Sequence, residues 1–583
     1  MMAERRGTSP RANDDNSNSI PLTFNDGTAK VERTAPVTGD QSLHKDTTIQ
    51  DTFPCHRVTC EHRPIMVAEH PRPSPRRVLI ALGQTAPFLL SMNSRIRRIH
   101  VAIVAVVFLI SGAVYFGRDT SLSPPSAEPY GPTVLETGLK DYDWAHNLAL
   151  AEMEQNVQGN HFVAGEGWSQ LWTRDTSYAA EQAASLLFPE VVRSSLEASV
   201  ENDPDGAGTV WLQDSCAHFG GWPNLSDAIV GARGAWSVYR AEGNRTFLEW
   251  AYVVTKNSLV RAERDAFDDE ITGLFTGCSS FMESNSGYPA KYHHRGDLVG
   301  KTKALSTNSL HYSGYEIAAL MGRELGEEKK EIKHYEDKAS RLRSAIREHL
   351  WIPGMYYSYF MDENGKLMKN FEGLGESLML LDGIETDPRR IATIFSNVNQ
   401  TKYGLPSLWP QFDLDPKSMK HISLYYHDGR LWPFVQGYFA MAAAKHRKVD
   451  IFAHSLQALK DLVVKSNTFA EFYELNGTFP LERSRQLWSE TGYLAMIYQG
   501  LFGISYDVDG LRISPVKPES IFPDDIILKN FKYRDMILNI TVKGSGYQVA
   551  SLKIDGKKQR GGSTPKLPRE LKGRHVVDIE LKI

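Results

Sequence analysis

Several loops of this chain combine carboxylates with aromatic side chains, a combination that suits carbohydrate chemistry. The first loop, residues 165–178, contains Trp168, Trp172, Arg174 and Asp175. An indole ring can stack on the apolar face of a pyranose, and an arginine beside an aspartate can bind neighbouring hydroxyls. The same residues could also be a structural ion pair packed against core tryptophans. The type and spacing of the residues alone leave both alternatives open.

The second loop, residues 277–289, holds one carboxylate, Glu283, among aromatic and small residues. Partial burial would raise the pKa of this carboxyl, as a general acid requires. The alternative is an ordinary glutamate on a surface loop.

The third loop, residues 469–493, contains Glu471 and Trp488 and again places carboxylates among aromatics just before a predicted helix. Between the second and third loops, residues 425–436 contain His427 and Trp432. These four side chains complete the set of candidate site residues.

No cofactor or metal is expected in this part of the chain. It shows no His-x-x-x-His or Asp-x-Asp-x-Asp ligand spacing, and no glycine-rich nucleotide loop precedes a helix. Cys55 and Cys60, near the N-terminus, could form a zinc knuckle, but no second Cys/His pair follows at zinc-site spacing. Incidental thiols in a polar tail are therefore the preferred interpretation.

The elements that must position these loops are mainly helices. Apolar residues recur at helical spacing along most of the region 135–503. Amphipathic helices are predicted near residues 141–157, 175–200, 225–241, 245–266, 307–324, 327–349, 372–384, 387–398, 431–446, 449–466 and 486–500. About a dozen helices joined by aromatic loops predict an (α/α) barrel, in which the loops at one end line a pocket. After residue 503 apolar and polar residues alternate between glycines and prolines, which predicts a small antiparallel β module.

The order of these motifs resembles the six-hairpin (α/α)6-barrel glycosidases, and most closely glycoside hydrolase family 63, the trehalases and the mannosylglycerate-hydrolase-like domains. Glu471-Phe472-Tyr473, with Asn476-Gly477 and Trp488-Ser489 downstream, resembles the signature whose Glu is the general base. Residues 426–433 resemble the family's Tyr-x-x-Gly-x-x-Trp-Pro loop. Glu283 falls where related sequences carry a catalytic Asp, and residues 171–175 resemble a sugar-binding Trp-x-Arg-Asp segment.

The resemblance implies an inverting α-glycosidase acting on a glucoside or a mannoside. Glu283 would be the acid and Glu471 the base, and such a pair stands roughly 6.5–9.5 Å apart. Further acid candidates are Asp175, Asp227 and Asp428, and further base candidates are Glu474 and Glu490. The residues expected to hold the sugar are Trp168, Trp172, Arg174, Asp175, His427, Trp432 and Trp488. A rhamnosidase, a sugar phosphorylase or an inactive carbohydrate-binding protein remain as alternatives.

The N-terminal part of the chain predicts a membrane anchor. Residues 1–94 are polar and lack a sustained apolar period, which indicates disorder. Residues 95–118 contain a run of about 18 residues from Ile99 in which His100 and Ser111 are the only polar interruptions, long enough to cross a bilayer. Three arginines precede this run and no net positive charge follows it, so the positive-inside rule places the C-terminal part in the lumen. A start at Met92 would give a compact signal anchor.

A lumenal or extracellular location agrees with five N-glycosylation sequons after this span. They begin at Asn224, Asn244, Asn399, Asn476 and Asn539. Cys216 and Cys278 are the two cysteines of the lumenal part and could pair in an oxidising compartment. The endoplasmic reticulum, the Golgi and the cell surface all fit these features, and the oligomeric state stays open.

The composition of the chain agrees with this division into parts. The 583 residues carry a net charge of −4, which gives no basic field for nucleic acid. The 11 Trp and 24 Tyr exceed what a solvated interaction protein needs and suit a sugar-binding cleft. The predicted parts are a disordered tail (1–94), a transmembrane signal anchor (95–118), a linker (119–134), the glycosidase barrel (135–503) and the β module (504–583).

Overall fold

The computed structural model describes residues 132–214, 221–268, 271–282, 285–413, 426–559 and 566–582. All of them belong to one compact unit, Arg118–Ile583. Within these ranges twelve helices have seven or more residues. They are α1 (Lys140–Gln155), α2 (Thr173–Ala179), α3 (Pro189–Glu197), α4 (Val230–Glu242), α5 (Arg245–Ala266), α6 (Leu305–Leu325), α7 (Lys329–His349), α8 (Gly373–Leu381), α9 (Pro388–Ser396), α10 (Pro433–Lys445), α11 (Val449–Ser466) and α12 (Leu487–Ala495).

The even-numbered helices form a closed inner ring. α2 packs on α4, and the contacts continue through α6, α8 and α10 to α12, which returns to α2. The odd-numbered helices lie outside this ring, as α5 and α7 do against α6. Twelve helices in two concentric layers are the predicted (α/α)6 toroid.

Burial distinguishes the inner layer from the outer layer. Every residue of α2 and α12 is buried, whereas α7 buries only one stripe, Tyr335, Ala339, Leu342 and Ile346. α2 is buried although it is mostly polar, because Arg174 and Asp175 find buried partners in Asp227 and Gln486. The amphipathic α7 lies at the surface. Because an outer helix returns the chain between successive inner helices, all six inner helices begin at the same end of the barrel.

Local signals set the ends of the helices. Gly243 ends α4 in the left-handed region at φ 82°, and the Asn244 side chain then caps α5 by accepting from the Phe247 amide at 3.1 Å. The single helix expected at 175–200 is broken. A π-helical turn, Ala180–Ala184, and the short Ser185–Leu187 helix follow α2, and Pro189 then starts α3 at a position that suits its fixed φ.

Strands of two to four residues lie in the barrel loops, and strands of two to ten residues follow α12. The strands are β1 (Val134–Glu136), β2 (Val157–Gln158), β3 (His161–Phe162), β4 (Val200–Asp203), β5 (Gly208–Trp211), β6 (Phe267–Asp268), β7 (Leu274–Phe275), β8 (Lys303–Ala304), β9 (Phe360–Met361), β10 (Phe371–Glu372), β11 (Leu408–Trp409), β12 (Ile504–Asp507), β13 (Gly510–Ile513), β14 (Ile526–Tyr533), β15 (Met536–Lys543), β16 (Gln548–Ile554), β17 (Lys557–Lys558), β18 (Lys566–Pro568) and β19 (Gly573–Lys582).

The C-terminal strands form a six-stranded sheet, β1-β14-β15-β19-β16-β17, and a three-stranded sheet, β12-β13-β18. The expectation of a purely antiparallel module was wrong, because β15 and β19 pair in parallel from Met536 and Gly573 to Lys543 and Glu580. β1 was expected as linker and barrel residues, but it adds an edge strand to this sheet by pairing with β14.

Several sequence predictions fall outside the described residues. They are the tail 1–94, the anchor 95–118, the linker residues up to 131, and the cysteines Cys55, Cys60 and Cys216. Among the helices that the structure describes, each is too short or too polar to span a bilayer.

Candidate functional site

Glu471 lies at the end of the barrel where the inner helices begin. Its side chain is 2% exposed. Oε1 accepts hydrogen bonds from Trp168 Nε1 at 2.8 Å and from the Tyr426 hydroxyl at 2.5 Å. Its donors therefore come from the loops before α2 and α10, while Glu471 itself precedes α12.

The second oxygen of this carboxylate has a different environment. Oε2 of Glu471 faces Arg483 Nε at 3.5 Å, and it accepts no hydrogen bond from any residue in the described part of the chain. Burial raises the pKa of the Glu471 carboxyl above its ordinary value, and the charge of Arg483 and the two hydrogen bonds act in the opposite direction. The site thus holds a buried carboxylate with one hydrogen-bonded oxygen and one oxygen that pairs with the Arg483 guanidinium without a hydrogen bond from the described residues.

Partly exposed indole rings lie beside Glu471. Trp168 and Trp172 meet edge to face with centroids 6.3 Å apart, and the Arg483 guanidinium lies 4.3 Å from the Trp168 ring centroid. These two tryptophans are the predicted sugar-binding aromatics that keep accessible surface.

The other predicted aromatics form a buried wall. His427 stacks on Trp432 with centroids 5.2 Å apart, and Trp488 stacks on Phe434 at 4.1 Å. Phe281 lies edge-on to this group, 5.3 Å from Trp432. Burial, and the nearby Arg174 and Arg430, lower the pKa of His427 well below its ordinary value, so this ring is neutral.

Arg174 and Asp175 are buried at the first turn of α2. Arg174 Nη1 lies 3.3 Å from Asp227 Oδ2, and Asp214 accepts the backbone N–H groups of Thr173 and Arg174 at 2.9 and 2.8 Å. Asp175 Oδ1 accepts from Gln486 Nε2 at 3.1 Å, which joins α2 to the residue before α12.

The remaining carboxylate candidates are placed as follows. Glu283 lies outside the described residues, and its role as the acid stays a prediction. Asp428 is fully buried and accepts the Phe412 amide at 2.7 Å, and burial raises its pKa to about 8. Glu474 pairs with Arg430, and Glu490 accepts from Asn156 at 3.0 Å inside the barrel wall.

Three contact residues were not among the predicted site residues: Tyr426, Arg483 and Gln486. Tyr426 immediately precedes the predicted His427, so its position in the same motif was an available signal. Arg483 and Gln486 lie within the third loop, 469–493, but their contacts with Glu471 and Asp175 depend on how the folded chain brings these residues together. Among the described residues there is no group of three or more His, Cys, Asp or Glu side chains that could hold a metal ion.

Comparisons with known proteins agree with this arrangement. The sequence model for the mannosylglycerate hydrolase MGH1-like glycoside hydrolase domain matches residues 170–489. A solved structure described as a sialidase is similar with a TM-score of 0.54 at 15% identity, over 73% of this chain and 40% of that one. The comparison with curated proteins gives no match.

Two further solved structures are similar at lower scores. The GH78 family rhamnosidase of Bacillus sp. GL1 has a TM-score of 0.47 at 12% identity, over 71% of this chain and 42% of that one. The GH63 mannosylglycerate hydrolase from Thermus thermophilus has a TM-score of 0.46 at 15% identity, over 60% of this chain and 99% of that one. This chain thus spans about two fifths of the length of the sialidase and the rhamnosidase.

The matched family segment begins just before α2 and ends within α12, so it contains five of the six inner helices and the first residues of the sixth. It includes Glu471 and Tyr426, whereas Trp168 lies just before it. It also covers more than half of the chain. The protein therefore belongs to the mannosylglycerate hydrolase MGH1-like glycoside hydrolase family.

Proposed function

We propose that this protein is a glycosidase that cleaves an α-linked glycoside with inversion and that Glu471 is the general base. The observation that carries the proposal is the difference between the two oxygens of Glu471. Trp168 and Tyr426 anchor Oε1, while Oε2 has no hydrogen-bond donor among the described residues. A water molecule bound at Oε2 would lose its proton to a carboxylate whose orientation is already fixed.

Glu283 is the proposed acid that protonates the glycosidic oxygen. In an inverting enzyme the two carboxyl groups stand about 6.5–9.5 Å apart, which leaves room for the attacking water. Phe281, two residues earlier in the chain, packs against Trp432 and His427 of the buried wall. This contact brings the segment that leads to Glu283 to the same end of the barrel as Glu471.

The sugar would lie between the exposed tryptophans and the buried wall. Trp168 and Trp172 offer partly exposed rings for stacking, and Arg174 and Asp175 offer polar groups for hydroxyls. Trp432, Trp488 and His427 already stack on other rings or on one another, which supports a role in shaping the pocket. An α-mannoside or an α-glucoside is the proposed substrate, and the family description supports the mannoside.

We further propose that residues 95–118 anchor the protein as a single-pass type II membrane protein with a lumenal or extracellular catalytic domain. The apolar run, the arginines before it and the sequons after it support this topology. A membrane-extraction and protease-protection experiment on the full chain tests it. Protection of the C-terminal part in intact microsomes is expected, and digestion of that part without detergent would contradict the topology.

Replacing Glu471 by Gln tests the proposed base. The substitution is nearly isosteric, so we expect kcat for a hydrolysed aryl α-glycoside to fall by roughly 10²–10⁴ while binding of the free sugar persists. Glu490→Gln is the matched control, because Glu490 is also buried and its contact is with Asn156. Full hydrolysis by Glu471→Gln, or loss of hydrolysis only in Glu490→Gln, would contradict the assignment.

A further inference from the structure

A buried carboxylate outside the Glu471 site joins three parts of the barrel. Glu372, the residue before α8, is fully buried. Its Oε1 accepts from the Ser279 hydroxyl at 2.5 Å, and its Oε2 accepts from the Ser306 backbone N–H at 3.2 Å. One side chain therefore connects the start of α8, the start of α6 and the loop that leads to Glu283.

Hydrogen bonds extend this connection to the sugar-binding residues. The Ser306 hydroxyl lies 3.0 Å from the Ser279 hydroxyl and accepts from the Ser280 backbone N–H at 3.1 Å. The Ser280 hydroxyl lies 2.8 Å from the Tyr178 hydroxyl and 3.4 Å from Asp227 Oδ2. Since Asp227 also pairs with Arg174, the network runs continuously from Glu372 to the first turn of α2.

The backbone that this network holds is strained. Phe281 has φ 52°, in the left-handed region that bulky side chains seldom adopt. Such a conformation persists only where the surroundings impose it, and it is typical of functional loops. On one side of Phe281 the Glu372 network fixes Ser279 and Ser280, and on the other side Met282 leads to Glu283.

The absence of a side chain at Gly375 leaves space for the Glu372 carboxylate. A Cβ at Gly375 would collide with Glu372 Oε2 and would lie 2.9 Å from Leu305 Cδ2. A glycine at this point of α8 therefore lets the carboxylate lie between two inner helices. Alanine would force it to move.

We propose that Glu372 is a positioning residue, which holds Ser279–Met282 in its strained conformation and thereby sets the placement of the acid that follows. This inference rests on the proposed function for the role of Glu283, whereas the positioning of Ser279–Met282 does not depend on it. Glu372 does not contact the reacting atoms, so its effect on rate is transmitted through the Ser279 hydroxyl.

Two variants test the proposal kinetically. Glu372→Gln weakens the bonds to Ser279 and Ser306, and Gly375→Ala displaces the carboxylate without removing it. For both we expect kcat to fall about tenfold to a hundredfold with KM little changed, because a misplaced acid slows the chemical step rather than binding. The double variant Ser279→Ala/Glu372→Gln is expected to lose much less activity than the product of the losses in the two single variants, because both changes act on the same Ser279–Glu372 bond.

Glu376→Gln is the matched control. Glu376 is fully buried one turn further along α8, and its Oε1 accepts from the Tyr357 backbone N–H at 2.6 Å rather than from the acid-bearing loop. This variant should keep its kcat. Equal losses in Glu372→Gln and Glu376→Gln would overturn the proposal, because they would indicate general destabilisation of α8.

Hydrogen exchange tests the positioning role of Glu372 independently of the proposed catalytic roles of Glu283 and Glu471. Peptides covering residues 277–282 should exchange faster in Glu372→Gln than in the parent or in Glu376→Gln. If exchange and kcat both change as expected while Glu471→Gln stays active, the positioning proposal stands and the base assignment fails. Unchanged exchange in residues 277–282 overturns the positioning proposal, whichever carboxylates carry out the reaction.

Discussion

The Tyr426 hydroxyl donates a 2.5 Å hydrogen bond to Oε1 of Glu471, although 45 residues separate the two positions in the chain. The bond stabilises the ionised carboxylate and so lowers its pKa, against the larger effect of burial. Tyr426 thereby holds one oxygen of the proposed base and tunes its affinity for a proton.

Replacing Tyr426 by Phe should move the acidic limb of the pH–activity profile. The base must be ionised to act, and removing a donor to the carboxylate raises the pKa of Glu471. The low-pH limb of kcat/KM, which reports the free enzyme, should therefore move to higher pH, with a lower maximum.

Tyr498→Phe is the control for this measurement. It also removes a buried hydroxyl, but that hydroxyl contacts His146 at 2.9 Å, away from Glu471. A limb that stays in place in Tyr426→Phe, or that moves equally in both variants, would show that the Tyr426 bond does not tune the base.

Much of the fold follows from periodicity in the sequence. The predicted ranges 245–266 and 449–466 coincide with α5 and α11, because both helices alternate a buried and a solvated face. The parallel pairing of β15 and β19 was not predictable in this way. Alternation within a strand shows which face is buried, but it does not specify the partner strand or its direction.

The site was predictable only in part for a related reason. Glu471 and Trp168 belong to separate aromatic loops that the sequence already singled out. Their hydrogen bond spans 303 residues, and no local pattern encodes it. Arg483 was missed because it contacts Glu471 in its own loop and the rings of Trp168 and Tyr426 in two other loops, and this depends on how three loops meet at one end of the barrel.

Glu152 should make the stability of the fold depend on pH. It lies on α1 and accepts from the Thr468 hydroxyl and the Phe469 amide at 2.7 and 2.9 Å, and burial raises its pKa from 4.5 to about 7. The folded state therefore holds a proton that the unfolded chain releases. This contribution to stability is complete below pH 4.5 and is lost as the pH rises to about 7.

Glu152→Gln should reduce this dependence, because the amide does not ionise. We expect Tm to fall less in the variant than in the parent between about pH 5 and about pH 7.5, a range that includes the raised pKa of Glu152. An identical fall in both proteins would show that Glu152 does not titrate with a raised pKa.

Glycosylation through the secretory pathway should favour two of the five sequons. Asn399 and Asn476 are exposed. Two others are only partly exposed: Asn244 caps α5, and Asn539 lies within β15, where its side chain accepts the Asn530 amide at 2.9 Å.

Mass spectrometry of the full chain from a secretory host, before and after enzymatic deglycosylation, checks this expectation. Asn399→Gln and Asn476→Gln should each remove one glycan, whereas Asn244→Gln and Asn539→Gln should leave the glycan mass unchanged. Unmodified Asn399 and Asn476 in the secreted or membrane-bound protein would contradict it.

The most direct test of the central proposal is the anomer that the enzyme releases first. Proton NMR of the full chain acting on an aryl α-glycoside that it hydrolyses distinguishes the new anomer before mutarotation. If Glu471 activates water, the β-anomer appears first, because water attacks from the face opposite the departing group. Initial release of the α-anomer would contradict the proposal, since it would require a covalent intermediate and a nucleophilic carboxylate in place of a general base.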